Sequence, residues 1–314
     1  MEKPERKPSV VFCVVSLVFY GLVGVFLWRA LRGLDVAKLL EQEIEHLWLG
    51  GFFLATLFHR LIHAYVFLVV LRRIGPVETA IPNFLNYYAT CWMGRYVPGR
   101  VGMLTMRAVL APRIGTGRQN AVVASALEML MQLLMSCAVG VLGLLATDAL
   151  NLLSADIRWL VLVAAAGLVL FLYPPVFNLL SGWAFRLVSK APPAGLSRIS
   201  GATLAIAAFV SIAVMACSGA YAFAALRVFS AQLGLSSFPF IWAAYSVAGV
   251  VGTLAIFAPS GLGVREVVQI PLLRVLASQE AVVACIVLQR IGEIGSDLLF
   301  WLLTRPLGRT EAES

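Results

Sequence analysis

Long apolar segments are the feature that most constrains the fold of this 314-residue chain. A helix that crosses a bilayer needs about 20 mostly apolar residues, and six segments meet that requirement. They are residues 10–28, 47–71, 120–146, 158–180, 202–227 and 280–303. Hydrophobic residues make up 61% of the chain and charged residues only 13%, which is far from the composition of a soluble domain. The sequence therefore predicts an all-α polytopic integral membrane protein.

Two further apolar regions, 81–110 and 238–275, are interrupted by proline and glycine. Because proline ends a helix and glycine permits a tight reversal, we expect each region to form a re-entrant helical hairpin. Non-helical backbone at membrane depth is tolerated where it is buried in protein or lines a wet cavity. The prediction is a single transmembrane domain over residues 1–314, with about six spans and two re-entrant hairpins.

The two interrupted regions share a short motif. The first reads PGRVG from residue 98 and the second reads PSGLG from residue 259. Both follow the pattern Pro-x-x-aliphatic-Gly, with an aromatic residue two positions before the proline. The predicted topology runs the two units in opposite directions, which indicates an inverted repeat of the kind common in transporters. Its first half covers about 10–146 and its second half about 158–303.

The net charge is +8, and the distribution of Lys and Arg along the chain predicts the orientation. Cytoplasmic loops carry an excess of Lys and Arg, and 15 of the 24 basic residues fall near the two termini and in residues 72–118 and 186–198. Placing all of them inside requires the first hairpin to enter from the cytoplasm and the second from outside. Both termini then face the cytoplasm. The loop that carries Arg29, Arg32 and Lys38 opposes this assignment. Nucleic-acid binding is not expected, because the charges are scattered among apolar spans.

The interrupted regions also bring arginines to the starts of half-helices, whose free N–H groups favour anions. The candidate substrate-binding residues are Arg95, Pro98, Gly99, Arg100, Gly102, Arg107, Gly261, Gly263, Arg265 and Glu266. A phosphate-bearing lipid headgroup fits this chemistry. A surface loop whose arginines reach toward the headgroups would produce the same pattern.

Ionisable residues inside spans are costly and point to function. The candidates for a central path are Glu128, Arg290, Glu293 and Asp297. The last three share one helical face because they are spaced i, i+3, i+7, and Arg290 and Glu293 can also simply pair with each other. Glu128 stands alone in its span, so we expect an arginine from an interrupted region to be its partner.

His59, Arg60 and His63 predict a polar face on the second span that is turned toward the bundle interior. The two histidines are one turn apart, but no third metal ligand is apparent, so no metal and no cofactor are expected. The sequence lacks the motifs of serine hydrolases, P-loop proteins and zinc proteases. We therefore expect a transporter-like protein and not an enzyme.

The segments YVPGRVGMLTMR and APSGLGVREVVQIPLL, with Arg290 in the last span, resemble the lysylphosphatidylglycerol synthase transmembrane-region family, also called flippase-like integral membrane proteins. The family commonly shows a Pro-Gly-Gly-x-Gly-x-x-Glu-like pattern, in which this chain has Ser260 in place of the first glycine. In its third span the family often has Glu followed by Arg. Here Met129 follows Glu128, so that partner charge is missing.

The resemblance implies a helical bundle that moves a lipid between leaflets of a bacterial or archaeal cytoplasmic (inner) membrane, in cell-envelope metabolism. An aminoacyl-transferase domain follows this bundle in the full synthases. This chain ends at Ser314 after an 11-residue polar tail, so we expect a stand-alone member. The implied partners are membrane lipids and a separately encoded glycosyltransferase or synthase, and a homo-oligomer is left open.

The leading hypothesis is flipping or scrambling of an anionic lipid, either a phospholipid or a polyprenyl-phosphate-linked sugar. One alternative is a membrane transferase that acts on a lipid-linked sugar, with Glu266 or Glu293 as general base. The other is a non-transporting membrane partner of a glycosyltransferase or synthase.

Overall fold

The computed structural model describes residues 44–96, 101–145, 147, 175–176, 179, 200–255, 258 and 261–308. Within these residues the regular structure is helical and contains no strand. The α-helices are α1 (His46–Ile74), α2 (Ile81–Met93), α3 (Val101–Leu110), α4 (Arg118–Leu145), α5 (Gly201–Arg227), α6 (Phe238–Leu254), α7 (Val264–Leu273) and α8 (Gln279–Thr304). The prediction of an all-α polytopic membrane protein is confirmed.

Four helices in the described part of the chain are long and apolar enough to cross a membrane. They are His46–Ile74, Arg118–Leu145, Gly201–Arg227 and Leu235–Leu254. The first three match predicted spans. The fourth consists of a short 3₁₀ turn followed directly by α6. It lies in the second interrupted region, which therefore begins with a helix of spanning length. The predicted span at 10–28 and most of that at 158–180 lie outside the described residues.

Helix α8 coincides with the predicted segment 280–303, but it is not among the four helices that meet the length and composition for crossing a membrane. Its surface is divided between a buried face, which includes Glu293 and Asp297, and an exposed apolar face. Ile291 and Ile294 point outward, with 59% and 48% of their surfaces exposed. Gly292 allows close contact with α1, because an added Cβ would lie 2.2 Å from Cζ of Phe52. This division is the one expected for a helix at the edge of a membrane bundle.

The two interrupted regions have the same order of elements. Each begins with a helix that has proline in its first turn (α2 and α6). After a break comes a ten-residue helix (α3 and α7), and then a long helix (α4 and α8). Pro98, Gly99 and Arg100, like residues 256–257 and 259–260, lie outside the described residues.

Glycine is required at both chain reversals. Gly261 and Gly263 have φ values of 69° and 83°, in the left-handed region that other residues avoid. An added Cβ on Gly261 would also lie 3.1 Å from Cα of Gly252. In the first region, a Cβ on Gly94 would lie 2.7 Å from the carbonyl carbon of Gly102. Each short helix therefore starts in close backbone contact with the helix before it.

Candidate functional site

A polar cavity of about 120 Å³ lies inside the bundle, among all eight helices. The polar side chains that line it are His59, Arg60 and His63 of α1, Trp92 of α2, Arg95 of the 3₁₀ turn after α2, Glu128, Gln132 and Ser136 of α4, Ser218 and Tyr221 of α5, Tyr245, Ser246 and Thr253 of α6, Arg265 of α7 and Glu293 of α8. A cavity needs roughly 10–15 Å³ to hold one water molecule. This one has room for several waters or for a small polar headgroup.

The carboxylate of Asp297 is fully buried and is surrounded by donors from the first described helices. It forms an ion pair with Arg60 of α1 and a second one, at 3.6 Å, with Nη1 of Arg95. Trp92 Nε1 donates to Oδ1 at 3.1 Å, and the Tyr96 hydroxyl donates to Oδ2 at 2.7 Å. Asp297 therefore ties α8 to α1, to α2 and to the 3₁₀ turn that follows α2.

Glu293 lies one turn earlier on α8 and accepts a second set of hydrogen bonds. Arg265 Nη1 lies 3.3 and 3.4 Å from its two carboxylate oxygens, and Arg290 Nη1 lies 3.3 Å from Oε2. The Tyr245 hydroxyl donates to Oε1 at 2.8 Å, and the Tyr221 hydroxyl lies 3.3 Å from the same oxygen. The pairing of Arg290 with Glu293, which their i, i+3 spacing allows, is present.

Arg290 also pairs with Glu266 of α7 through its Nε atom. Arg265 and Glu266, which are adjacent on α7, thus both bind charged partners on α8. Arg265 additionally lies over the Tyr245 ring, with 4.6 Å between Cζ and the ring centroid. These contacts fix the short helix α7 against α8 at the side of the cavity.

Glu128 is buried and has the arginine partner that the sequence predicts. Arg107 Nη1 of α3 donates to Glu128 Oε2 at 2.5 Å and to Ser125 Oγ at 3.1 Å. On the cavity side, Gln132 Nε2 lies 3.4 Å and His63 Nδ1 lies 3.7 Å from Oε1. Related proteins often have an arginine directly after this glutamate, where this chain has Met129. Here the arginine that pairs with Glu128 is Arg107, from the first interrupted region.

The cluster carries an excess of positive charge. Its five arginines are Arg60, Arg95, Arg107, Arg265 and Arg290, and its four carboxylates are Glu128, Glu266, Glu293 and Asp297. With neutral histidines, one positive charge is left over. Isolated charges are costly in a low-dielectric environment, which explains why each arginine has a carboxylate within reach.

The structure brings most of the predicted residues to this cluster. Arg107 is completely enclosed, with its guanidinium 3.8 Å from the centroid of the Phe67 ring, so it holds Glu128 in place inside protein. Gly102, Gly261 and Gly263 shape the two reversals. The other described candidates form the ion pairs: Arg95, Glu128, Arg265, Glu266, Arg290, Glu293 and Asp297.

Sequence reasoning missed the aromatic donors and the role of Arg60. It predicted the inward polar face of His59, Arg60 and His63, and all three are buried. It did not predict that Arg60 binds Asp297. Nor did it predict that Trp92 and three tyrosines, Tyr96, Tyr221 and Tyr245, bind the carboxylates. Aromatic residues with a polar atom, placed in the middle of an apolar segment, were the available signal. Among the described residues no group of three or more His, Cys, Asp and Glu could hold a metal.

A bundle of long apolar helices around buried arginine–carboxylate pairs defines a polytopic membrane protein with a charged internal cavity. The family model described as the lysylphosphatidylglycerol synthase TM region matches residues 13–293. The protein belongs to this family, as the resemblance of its motifs predicts. Comparison with curated proteins gave no match.

Proposed function

We propose that this protein moves an anionic lipid, a phospholipid or a polyprenyl-phosphate-linked sugar, between the leaflets of a membrane. The observation that carries the proposal is the cavity at the centre of the bundle, which Arg60, Arg95 and Arg265 line. Arginine is well suited to binding phosphate because its planar guanidinium offers several fixed donors. Membership in a membrane-lipid family supports the same conclusion.

In the proposed mechanism, the headgroup phosphate competes with carboxylates for the arginines. Arg265 can leave Glu293 for the phosphate, because Arg290 and Tyr245 still bind that carboxylate. The exchange replaces one charge-assisted hydrogen bond by another, so no buried charge is left unpaired. The acyl chains remain in the lipid while the headgroup crosses through the polar cavity.

The repeated ion pair supports the proposal of an inverted repeat with two re-entrant elements. In each half, an arginine of the ten-residue helix binds a glutamate of the long helix that follows. The pairs are Arg107 with Glu128 and Arg265 with Glu293. Asp297 binds groups of the first half, so separating the halves requires these contacts to break. Rocking of one half against the other would then expose the cavity to each side in turn.

We further propose a cytoplasmic-membrane location with both termini in the cytoplasm, on the distribution of Lys and Arg. A separately encoded glycosyltransferase or synthase is the proposed partner that supplies or uses the lipid. Catalysis by this chain is the weaker hypothesis. Both candidate general bases are engaged, Glu266 by Arg290 and Glu293 by two arginines and two tyrosines.

A leaflet-exchange assay tests the proposal. Liposomes with and without the purified protein carry a trace of fluorescent phosphatidylglycerol, a short fluorescent polyprenyl-phosphate analogue, or fluorescent phosphatidylcholine as the zwitterionic comparison. A membrane-impermeant quencher reports the accessible fraction over time. The proposal expects faster exchange of at least one anionic lipid, and little effect on phosphatidylcholine. Folded protein that accelerates neither anionic lipid, with or without a proton gradient, would favour the transferase or the non-transporting partner.

A further inference from the structure

Nε of the cavity arginine Arg265 has no hydrogen-bond partner within the part of the chain that the structure describes. Among the uncharged side chains that line the cavity, two more buried polar atoms lack a partner there: His59 Nε2 and Ser246 Oγ. Both residues line the cavity, and their exposed fractions are only 5% and 2%. Buried polar groups in proteins are nearly always paired. The two atoms therefore mark positions where something inside the cavity completes the hydrogen bonding.

The first of these atoms is a donor. Nη1 of Arg60 lies 3.3 Å from His59 Nδ1, and a guanidinium can only donate. Nδ1 must therefore accept, which places the proton of the neutral imidazole on Nε2. The Ser246 hydroxyl can donate or accept. The cavity thus offers a hydrogen-bond donor and a hydroxyl in addition to its arginines.

Among the described residues that line the cavity, a positively charged headgroup finds no carboxylate without an arginine partner. Glu128 is held by Arg107, and Glu293 is held by Arg265 and Arg290. A phosphodiester headgroup with uncharged hydroxyls carries one negative charge, which offsets the excess positive charge of the cluster. A headgroup with one phosphate and two ammonium groups is positively charged overall and would add to that excess, and burying uncompensated charge is strongly unfavourable.

We propose that the cavity selects a phosphodiester headgroup that bears uncharged hydroxyls and rejects one that bears an amine. The phosphate binds among the cavity arginines, while His59 Nε2 and Ser246 Oγ bind the headgroup hydroxyls. This inference rests on the proposed function and narrows its substrate class. Phosphatidylglycerol and a polyprenyl-phosphate-linked sugar share this chemistry, whereas lysylphosphatidylglycerol carries the excluded amines.

Binding to the full chain in detergent, measured by native mass spectrometry, tests the selectivity without requiring transport. The three central probes have identical acyl chains: phosphatidylglycerol, phosphatidylpropanol and lysylphosphatidylglycerol. Phosphatidylpropanol has the same phosphodiester charge but lacks both headgroup hydroxyls. We expect phosphatidylglycerol to bind roughly tenfold more tightly than phosphatidylpropanol, because the latter leaves two buried groups unpaired. Against lysylphosphatidylglycerol we expect at least about a tenfold preference.

Variants at the two unpartnered groups identify the residues responsible. Ser246→Ala and His59→Phe should each reduce the preference for phosphatidylglycerol over phosphatidylpropanol to about threefold or less. Their affinity for phosphatidylpropanol should stay within about twofold of the original, which also shows that they are folded. Ser218→Ala is the matched control, because Ser218 also lines the cavity but its hydroxyl already donates to the Met215 carbonyl. It should keep the full preference.

Two further probes separate the sources of the headgroup. A polyprenyl-phosphate-linked hexose that binds more tightly than phosphatidylglycerol, and loses that advantage in Ser246→Ala, would assign the site to the sugar lipid. Water-soluble glycerophosphoglycerol should compete poorly at the same concentration if the cargo is a lipid. Equal competition would overturn the assignment of the site to a lipid headgroup.

Equal binding of phosphatidylglycerol and phosphatidylpropanol, or tight binding of lysylphosphatidylglycerol, would overturn the proposed selectivity. So would a preference that Ser246→Ala and His59→Phe both leave intact. These results are distinct from a failure of transport. Selective binding without leaflet exchange would contradict the proposed function alone, and exchange without selective binding would contradict only this inference.

Discussion

Arg60 of α1 and Asp297 of α8 form a buried ion pair that joins the first and the last of the described helices. The side chains are 4% and 0% exposed, and the same carboxylate binds Arg95, Trp92 and Tyr96. A pair so enclosed contributes little net stability as a pair, but leaving one charge without its partner is costly. The Asp297 carboxylate therefore holds the first and the last of the described helices together.

Asp297→Asn should destabilise the protein strongly, because it leaves Arg60 buried without a counter-charge. The expected loss is about 3–5 kcal/mol, measured by thermal or denaturant unfolding in detergent. Glu280→Gln is the control on the same helix, where losing a charge in the first turn should cost no more than about 1 kcal/mol. Equal effects of the two substitutions would show that Asp297 does not hold the helices together.

Arg107 and Glu128 should behave as a unit. Arg107→Met alone leaves a buried carboxylate unpaired and should cost several kcal/mol, on the order of 3–5. The double variant with Glu128→Met removes both charges and should be no less stable than the single one. The double-mutant cycle on unfolding free energies measures the coupling. Simple additivity would contradict a direct pairing between these two residues.

Gly261→Ala should destabilise the second reversal, because Gly261 has φ of 69° and an added Cβ would crowd Cα of Gly252 at 3.1 Å. The expected cost is about 1–3 kcal/mol. Gly295→Ala is the matched control, since its Cβ would have no neighbouring atom within 4 Å. Alanine also favours a helix by up to about 1 kcal/mol, so this variant should melt at the same temperature or higher. A neutral Gly261→Ala would contradict the tight reversal.

The inverted arrangement predicts which side of the membrane each interrupted region faces. Ala80→Cys lies just before α2, and Ser236→Cys lies just before α6, both at exposed positions. In a background without the native cysteines, an impermeant thiol reagent should modify Ala80→Cys from the cytoplasmic side and Ser236→Cys from outside. Modification of both from the same face would rule out the inverted repeat.

The spans were predictable because the length of an apolar helix is tightly constrained by the membrane. The predicted segment 202–227 became Gly201–Arg227, and 120–146 became Arg118–Leu145. The second interrupted region was assigned less well. The sequence predicted that proline and glycine interrupt this region, but Pro239 lies in the first turn of α6, where a proline costs no helical hydrogen bond. A helix of spanning length follows it.

The kind of partner was predictable for Glu128, because a lone buried carboxylate needs a cation. The pairing of Arg60 with Asp297 was not, since the two residues lie far apart in the sequence and no local spacing relates them. The contributions of Tyr221 and Tyr245 to Glu293 were missed for a related reason. A tyrosine in an apolar segment is usually a packing residue, and only the assembled bundle shows where its hydroxyl points.

The most direct test of the central claim is the rate of phosphatidylglycerol exchange in liposomes that contain Arg265→Gln. Arg265 lines the cavity and binds Glu293. Arg274→Gln removes an exposed arginine at the end of the same helix, α7, and serves as the control. If the arginines carry the phosphate, Arg265→Gln should slow exchange at least about tenfold, as expected for the loss of a charge-assisted hydrogen bond. Arg274→Gln should match the original protein. Equal exchange rates for the two folded variants would contradict the claim that the lipid phosphate crosses the membrane through this cavity.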